Sequence, residues 1–349
     1  MEHFVHAKSN MLFPISSATF RFLSIDVDTV NAVTLEDAKN AVMSQLVPSD
    51  LEISISGDFV VNDVLEMILK YLGTIPADAN SEYREKKGAS KTDFNGVPAL
   101  QLPGKHIDLE LEDSDPRAVA YVAGAAPNAW GFLADGTTVA QRVSEADKRA
   151  SEYDKQRRAH PLFASAALSM VSEIANRRLF STVRERKQLT YDANFSFTGF
   201  ERLRGGWFLV TVTASKEKAR AALDACKETL DALRTSNPIS PDNLESAKRV
   251  VMNRHEGELR TASYWTSMMS GIQEESIPLK GPLSVTDFNA VIQSMTTRDL
   301  QLTLDCLGLE EKELYTVIGK TVQPVGLVDD GIVKASPMAG MGRGGALMG

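Results

Sequence analysis

Apolar residues first fall into a regular pattern at Thr34. In TLEDAKNAVMSQL, Leu35, Ala38, Val42 and Leu46 recur at helical spacing behind a threonine suited to capping, which predicts a helix there. LEISISGDF then alternates Leu51, Ile53 and Ile55 with Glu52, Ser54 and Ser56, the pattern of a half-buried strand ending at Gly57. A second helix is predicted from Asn62 through DVLEMILKYL, stopping before Gly73 and Pro76. The polar stretch over residues 79–97 reads as a linker.

Beyond the linker, ALQLPG, IDLELED and RAVAYVAG have the short alternation of strands. Residues 135–159 are densely charged and predict an exposed helical insertion or a mobile loop. A long helix is expected from Pro161, with Phe163, Ala167, Met170, Val171 and Ile174 on one face, running towards Val183 and Arg184. YDANFSFTGF and GGWFLVTVTA predict an antiparallel hairpin turning around ERLRGG. The next helix carries a stripe of Ala219, Ala222, Leu223, Cys226, Leu230 and Leu233, and Ser240–Pro241 starts another. VTDFNAVIQSM and TRDLQLTLDCL predict two further helices before a last strand, LYTVIG. The Gly- and Met-rich tail over residues 326–349 is expected to be disordered.

One internal echo bears on the architecture. The segment from Thr34 aligns without a gap on the segment from Thr296, placing Asp37 on Asp299, Ile53 on Tyr315, Ile55 on Val317 and Gly57 on Gly319. Each copy reads as a capped helix followed by a strand that ends at glycine. This fits residues 1–78 as the C-terminal remnant of a preceding related domain and residues 98–325 as one complete domain.

Composition narrows the functional classes. Of the 349 residues, 43% are hydrophobic and 24% charged, so a core forms without disulfide staples. The net charge of −8 disfavours nucleic acid as a partner and suits basic peptides. Two cysteines, Cys226 and Cys306, are too few for a disulfide framework or a thiolate metal site, and Cys226 sits in a packing stripe. The longest uncharged apolar run, residues 118–134, contains Pro127 and Asn128 and is short of a membrane span, so no membrane partner is expected.

Self-contained hydrolytic chemistry is missing. Neither H-E-x-x-H nor H-x-x-E-H occurs, and His3 with His6 lacks a third partner. His255, Glu256 and Glu258 do not converge on one helical face and read as a solvated surface. No nucleophile elbow or phosphate-cradling glycine loop is found. What remains is RLFSTVRERKQLTYDANFSF, with Arg184 and Tyr191 seven residues apart where a helix gives way to a strand. The residues alone leave two readings: a helix-end cation beside a partly buried strand tyrosine, or a pair that grips an anion or carbonyl.

That block, RLFSTVRERKQLTY, resembles the second-half motif of the pitrilysin/insulinase family of zinc metallopeptidases, in which an Arg-containing turn ends a helix and a tyrosine opens the next strand. The order of elements agrees from about residue 31 to 320. YVAGAAPNAWGF, RRAHPLF, LDACKETL, AKRVVMNRHEGEL and Tyr264–Trp265 are similar to the plastid branch that processes transit peptides, and more distantly to its mitochondrial counterparts. The resemblance implies an α+β fold with helices packed on one face of an antiparallel sheet. It implies the C-terminal, non-zinc-binding portion of a metalloendopeptidase, inactive alone, with zinc carried by an N-terminal half and none bound here. Arg184 and Tyr191 would grip substrate and stabilise the transition state in trans to that zinc. The substrates would be unfolded basic targeting peptides, and the location the plastid stroma, with the mitochondrial matrix as second choice. A catalytically dead scaffold or interaction subunit is the alternative. Thr190 stands where the family usually has glycine, and Arg186 and Lys187 add charge beside the pair, making Arg186 a rival candidate for the grip.

Overall fold

The computed structural model describes residues 27–45, 52–74, 105–112, 117–198, 204–270, 272 and 283–322. Expectations for His3 and His6, for the linker at 79–97, for a strand at ALQLPG and for the tail lie outside the described residues. Helices α1 (Val27–Ala32), α2 (Leu35–Gln45) and α3 (Val61–Tyr71) come first. Strands β1 (Lys105–Glu112) and β2 (Arg117–Ala126) are followed by α4 (Val139–Ala146), α5 (Glu152–Arg158) and α6 (Phe163–Leu179). A π-helical turn (Phe180–Arg186) leads to β3 (Asp192–Phe197) and β4 (Gly206–Ser215). Helices α7 (Ala219–Arg234), α8 (Pro241–Glu258), α9 (Ala262–Met269), α10 (Leu283–Thr286), α11 (Phe288–Ser294) and α12 (Thr297–Leu304) precede β5 (Tyr315–Val322).

The strands form one sheet in the order β1-β5-β2-β4-β3. The α+β class follows as expected, and three of the strand pairings are antiparallel. The fourth departs from the expected sheet, because β1 runs parallel to β5, with Ile107 opposite Val317. Parallel neighbours need a long crossover. Here nearly the whole domain, from β2 to α12, intervenes between them.

Helices build the core against one face of this sheet. Ala118, Ala120 and Val122 of β2 and Phe208, Val210 and Val212 of β4 all point into it and are buried. The α7 stripe predicted from its spacing, Ala219 to Leu233 and including Cys226, is buried there in full. Helix α6 contributes Phe163, Ala167, Met170, Val171 and Ile174, the face expected from its periodicity. The opposite face of the sheet carries only a small cluster around Ala123, Tyr315 and Val317.

Residues 135–159 are helical and for the most part exposed, as one of the two expectations had it, but part of the stretch is folded inward. They form α4 and α5, each with a full capping box, and Val139 and Val143 are fully buried. Arg158 is 2% exposed because Asp299 and Asp147 hold its guanidinium at 2.8 and 2.7 Å. Charge density marked a surface here, but ion pairing allowed part of it to be folded inward.

The internal echo is realised as the same hydrogen-bond pattern twice. Thr296 N–H donates to Asp299 Oδ2 at 3.0 Å, and Asp299 N–H returns to Thr296 Oγ1 at 3.2 Å. Thr34 and Asp37 repeat this at 3.0 and 3.1 Å. The strands that follow differ. β5 lies inside the sheet with a neighbour on each edge, whereas the predicted strand at 51–57 is not one: residues 52–56 carry no strand pairing, and Ile53 and Ile55 are 51% and 42% exposed. Alternation defines an apolar side, but a strand exists only where another strand meets it. Helix α3 likewise has its predicted extent and no buried residue.

Candidate functional site

Helix α6 does not stop at Leu179; its backbone continues into the π-helical turn. The wider pitch shows in the Lys187 N–H, which donates to the Thr182 carbonyl five residues back at 3.0 Å. Such turns are rare and recur at functional sites. Within this one, the Arg184 guanidinium lies over the Phe180 ring, 4.9 Å from its centroid. Phe180 is itself 44% exposed, so the stack sits at the surface. Cation–π contact of this kind favours one placement of the guanidinium and leaves its N–H groups free to donate.

The chain then turns sharply into β3. Gln188 adopts φ +52°, the one non-glycine residue with positive φ among the described residues. Its carbonyl accepts Lys218 Nζ at 3.0 Å, and Leu189 N–H reaches back to the Val183 carbonyl at 3.1 Å. Thr190 is buried, with its hydroxyl 2.5 Å from the Thr213 carbonyl and 2.6 Å from that of Asp192. It has one proton to donate to them, and it also accepts the Asp192 N–H at 3.1 Å. The absence of glycine at this position thus has a physical account. The left-handed residue is Gln188, and position 190 is occupied by a side chain that staples the turn to β4.

Tyr191 is held by its backbone, whose N–H donates to the Thr213 carbonyl at 3.1 Å, while its side chain is 70% exposed. It is therefore not the partly buried strand residue that sequence allowed. Arg184 is exposed as well. Among the described residues, neither the phenol nor the guanidinium has a hydrogen-bond or ion-pair partner, and both belong to the same short junction. Arg186 is placed differently. It lines a cavity of about 210 Å³ with Arg178, Thr182, Lys187 and Glu228, which neither Arg184 nor Tyr191 lines. Glu228 also pairs with Lys187 at 2.8 Å, partly offsetting the extra charge there.

The remaining candidates fall away on geometry. His255 is 6% exposed rather than solvated, with the Phe288 and Tyr264 rings 4.3 and 5.6 Å from its own. Burial pushes the Cys226 thiol up to about 12, that of a packing residue rather than a nucleophile. No group of three His, Cys, Asp or Glu side chains among the described residues is arranged to hold a metal ion. No helix among them is long and apolar enough to cross a membrane. Phe180 and Gln188 were not singled out from sequence, since a π turn leaves no periodic signature.

Comparison with known proteins decides the family. The model of the peptidase M16 inactive domain matches residues 32–251. The chain belongs to the M16 peptidase family. This is the pitrilysin/insulinase family of the sequence resemblance. This M16 chain is 36% identical over 312 residues to the chloroplastic stromal processing peptidase of Pisum sativum, covering 86% of the chain and 24% of that relative. The corresponding protein of Arabidopsis thaliana is 36% identical over 314 residues. The chain thus spans about a quarter of the length of these relatives. In fold it matches the M16 inactive domain of Pseudomonas fluorescens with a TM-score of 0.59 at 16% identity, over 90% of this chain and 65% of that one. The periplasmic protease PqqL of Escherichia coli matches at 0.56 and 14%, over 90% of this chain and 30% of that one.

Proposed function

We propose that this M16 chain is the non-zinc-binding portion of a metalloendopeptidase that removes transit peptides from imported precursors. What supports this is that Arg184 and Tyr191 are both exposed and, among the described residues, without hydrogen-bond or ion-pair partners, on a single junction otherwise held by backbone and side-chain bonds. Identity of 36% to chloroplastic stromal processing peptidases supports the substrate class and a plastid stromal location.

Amide hydrolysis builds negative charge on the scissile carbonyl oxygen, and donors already aimed at that charge lower the barrier. The Tyr191 hydroxyl is such a donor. Arg184, whose guanidinium lies over the Phe180 ring, offers a fork to a substrate carbonyl or carboxylate. The described residues provide no metal cluster, so zinc belongs in this reading to another portion of the complete peptidase and no step is assigned to it here. The net charge of −8 favours basic, unfolded targeting peptides as substrates.

The exposed apolar segment before the main sheet supports a missing neighbour. Ile53, Ile55, Val61, Leu65, Leu69 and Tyr71 are all exposed. In the echo copy, β5 is covered on both edges by strands. Residues 1–78 accordingly read as the end of a preceding related domain whose body, with the zinc, comes from elsewhere in the same enzyme.

The test is reconstitution with a zinc-bearing N-terminal M16 portion and a fluorogenic transit peptide. The chain alone is expected to cleave nothing and the pair to cleave. Tyr191→Phe should lower turnover on the order of 10²-fold. Unchanged turnover in that variant would make the chain a scaffold instead.

A further inference from the structure

Asn176 stands on α6, three residues before that helix ends at Leu179. Its Oδ1 accepts the Phe195 N–H at 2.7 Å, and its Nδ2 donates to the Phe195 carbonyl at 2.8 Å. Nδ2 also lies 3.0 Å from the Ser172 carbonyl, which anchors the amide to its own helix. Phe195 belongs to β3, an edge strand with β4 on one side only. One side-chain amide therefore does at Phe195 what a neighbouring strand would do, satisfying both backbone groups that face away from β4.

The placement of this tie gives it a consequence beyond edge protection. One arm of the junction is α6, which runs unbroken into the turn carrying Arg184. The other is β3, which begins directly after Tyr191. Thr190 fastens the strand arm to β4, and Leu189 ties the bend to Val183. The direct polar bonds between the helix arm and the body of β3 come from Asn176, with a longer contact of 3.4 Å from Ser172 Oγ to the same Phe195 carbonyl. A wedge of this kind opens when its cross-tie is removed, even if both arms stay folded.

We propose that Asn176 is a positioning residue: it sets the angle between the arms, and through it the separation of Arg184 and Tyr191. This rests on the reading that the two side chains act on one substrate. Loss of the amide would misplace the phenol relative to the guanidinium without removing any group that touches substrate. Misplacement of about an ångström can cost about 10²-fold in rate, so a tenfold or larger fall in kcat is expected, with KM little changed.

Two measurements test this. In a Cys306→Ser background, nitroxides at Arg184→Cys and Tyr191→Cys report the separation, the remaining native thiol, Cys226, being buried. Asn176→Leu, which removes both bonds, should broaden the distance distribution. Asn176→Asp, which keeps an acceptor and loses the donor, should broaden it less. An unchanged distribution in both folded variants overturns the proposal, and Asn176→Asp alone decides it if the leucine variant does not fold. In the reconstituted peptidase, the Asn176→Leu loss should largely vanish in a Tyr191→Phe background. Fully additive losses would show a merely structural role and overturn it. If Tyr191→Phe itself has no effect, the functional reading fails while the spectroscopic result still decides the positioning.

Discussion

Arg158 Nε donates to Asp299 Oδ1 at 2.8 Å with both side chains almost wholly removed from solvent, at 2% and 0% exposure. Asp299 also receives Arg157 at 2.7 Å on its other oxygen and caps α12 through Thr296. In the echo copy, Asp37 performs the same capping on an exposed helix, with no ion pair to arginine among the described residues. The same four-residue device thus ends in a core in one place and at a surface in the other.

Asp299→Ala should be strongly destabilising, because it removes the fully buried carboxylate shared by two buried guanidinium groups, leaving Arg158 with Asp147 and Arg157 with Asp154, and also breaks the reciprocal capping bond of α12. Breaking a buried pair costs about 3–5 kcal/mol. Asp37→Ala removes a cap alone and should cost about 1 kcal/mol or less. Urea unfolding of the two variants checks the contrast, and equal losses would refute this account of residues 135–159.

Acid should weaken the same region. The Arg158 hydrogen bond holds the Asp147 carboxyl below the usual range, the Ser151 cap does so for Asp154, and the Thr286 hydroxyl followed by His160 does so for Asp287. A carboxylate whose folded pKa is depressed binds fewer protons in the native state. Its contribution is complete above the unfolded value of about 3.9 and is lost as pH falls through the lower folded values. Melting temperature should accordingly vary little from these groups between pH 7 and 5, then fall below about pH 4.

Both thiols should react slowly in the native protein, and the fully buried Cys226 more slowly than the partly exposed Cys306. Burial raises Cys226 to about 12 and Cys306 to about 11, so almost no thiolate is present at pH 8. Alkylation of Cys226 should proceed only after denaturant is added. Rapid labelling of Cys226 in native buffer would contradict its place in the α7 stripe.

Arg184→Lys keeps the charge but loses the planar fork and most of the stacking on Phe180. In the reconstituted peptidase it should lower kcat/KM, while the urea midpoint of the chain stays within error, since the guanidinium is exposed. A lysine variant with full activity would show that charge alone suffices.

Ile53→Ser with Ile55→Ser should alter the stability of the chain little, because both residues are about half exposed and neither belongs to the buried core. Surface changes of this kind usually lie within about 0.5 kcal/mol. The same double variant should weaken assembly with the N-terminal portion, measurable by titration calorimetry.

Much of this structure was legible where the signal is local. Capping boxes at Thr296 and Ser240, the α6 and α7 stripes and the β3–β4 hairpin follow from short spacings. The errors share a different cause. Ile53 and Ile55 alternate as a strand should, yet alternation does not say whether a partner strand is present. His255 reads as solvated until Phe288 and Tyr264, from other helices, close over it. The parallel β1 pairs with a strand some two hundred residues on, a distance at which local pattern carries no information. At the candidate site, Arg184 and Tyr191 were visible as residue types, whereas Phe180, Gln188 and Asn176 act through geometry that only the folded chain displays.

The π-helical stretch gives the junction a fixed phase. An ordinary helix rotates by about 100° per residue, so losing one residue between Phe180 and Arg184 would swing the guanidinium roughly a quarter of a revolution off the ring beneath it. The same loss would present β3 with the opposite side-chain alternation, inverting which residues meet the core. The bend that follows is fastened at Val183 and Thr213, and both bonds oppose such a change. This corner of the molecule should accept many exchanges of side chain and almost no alteration of length.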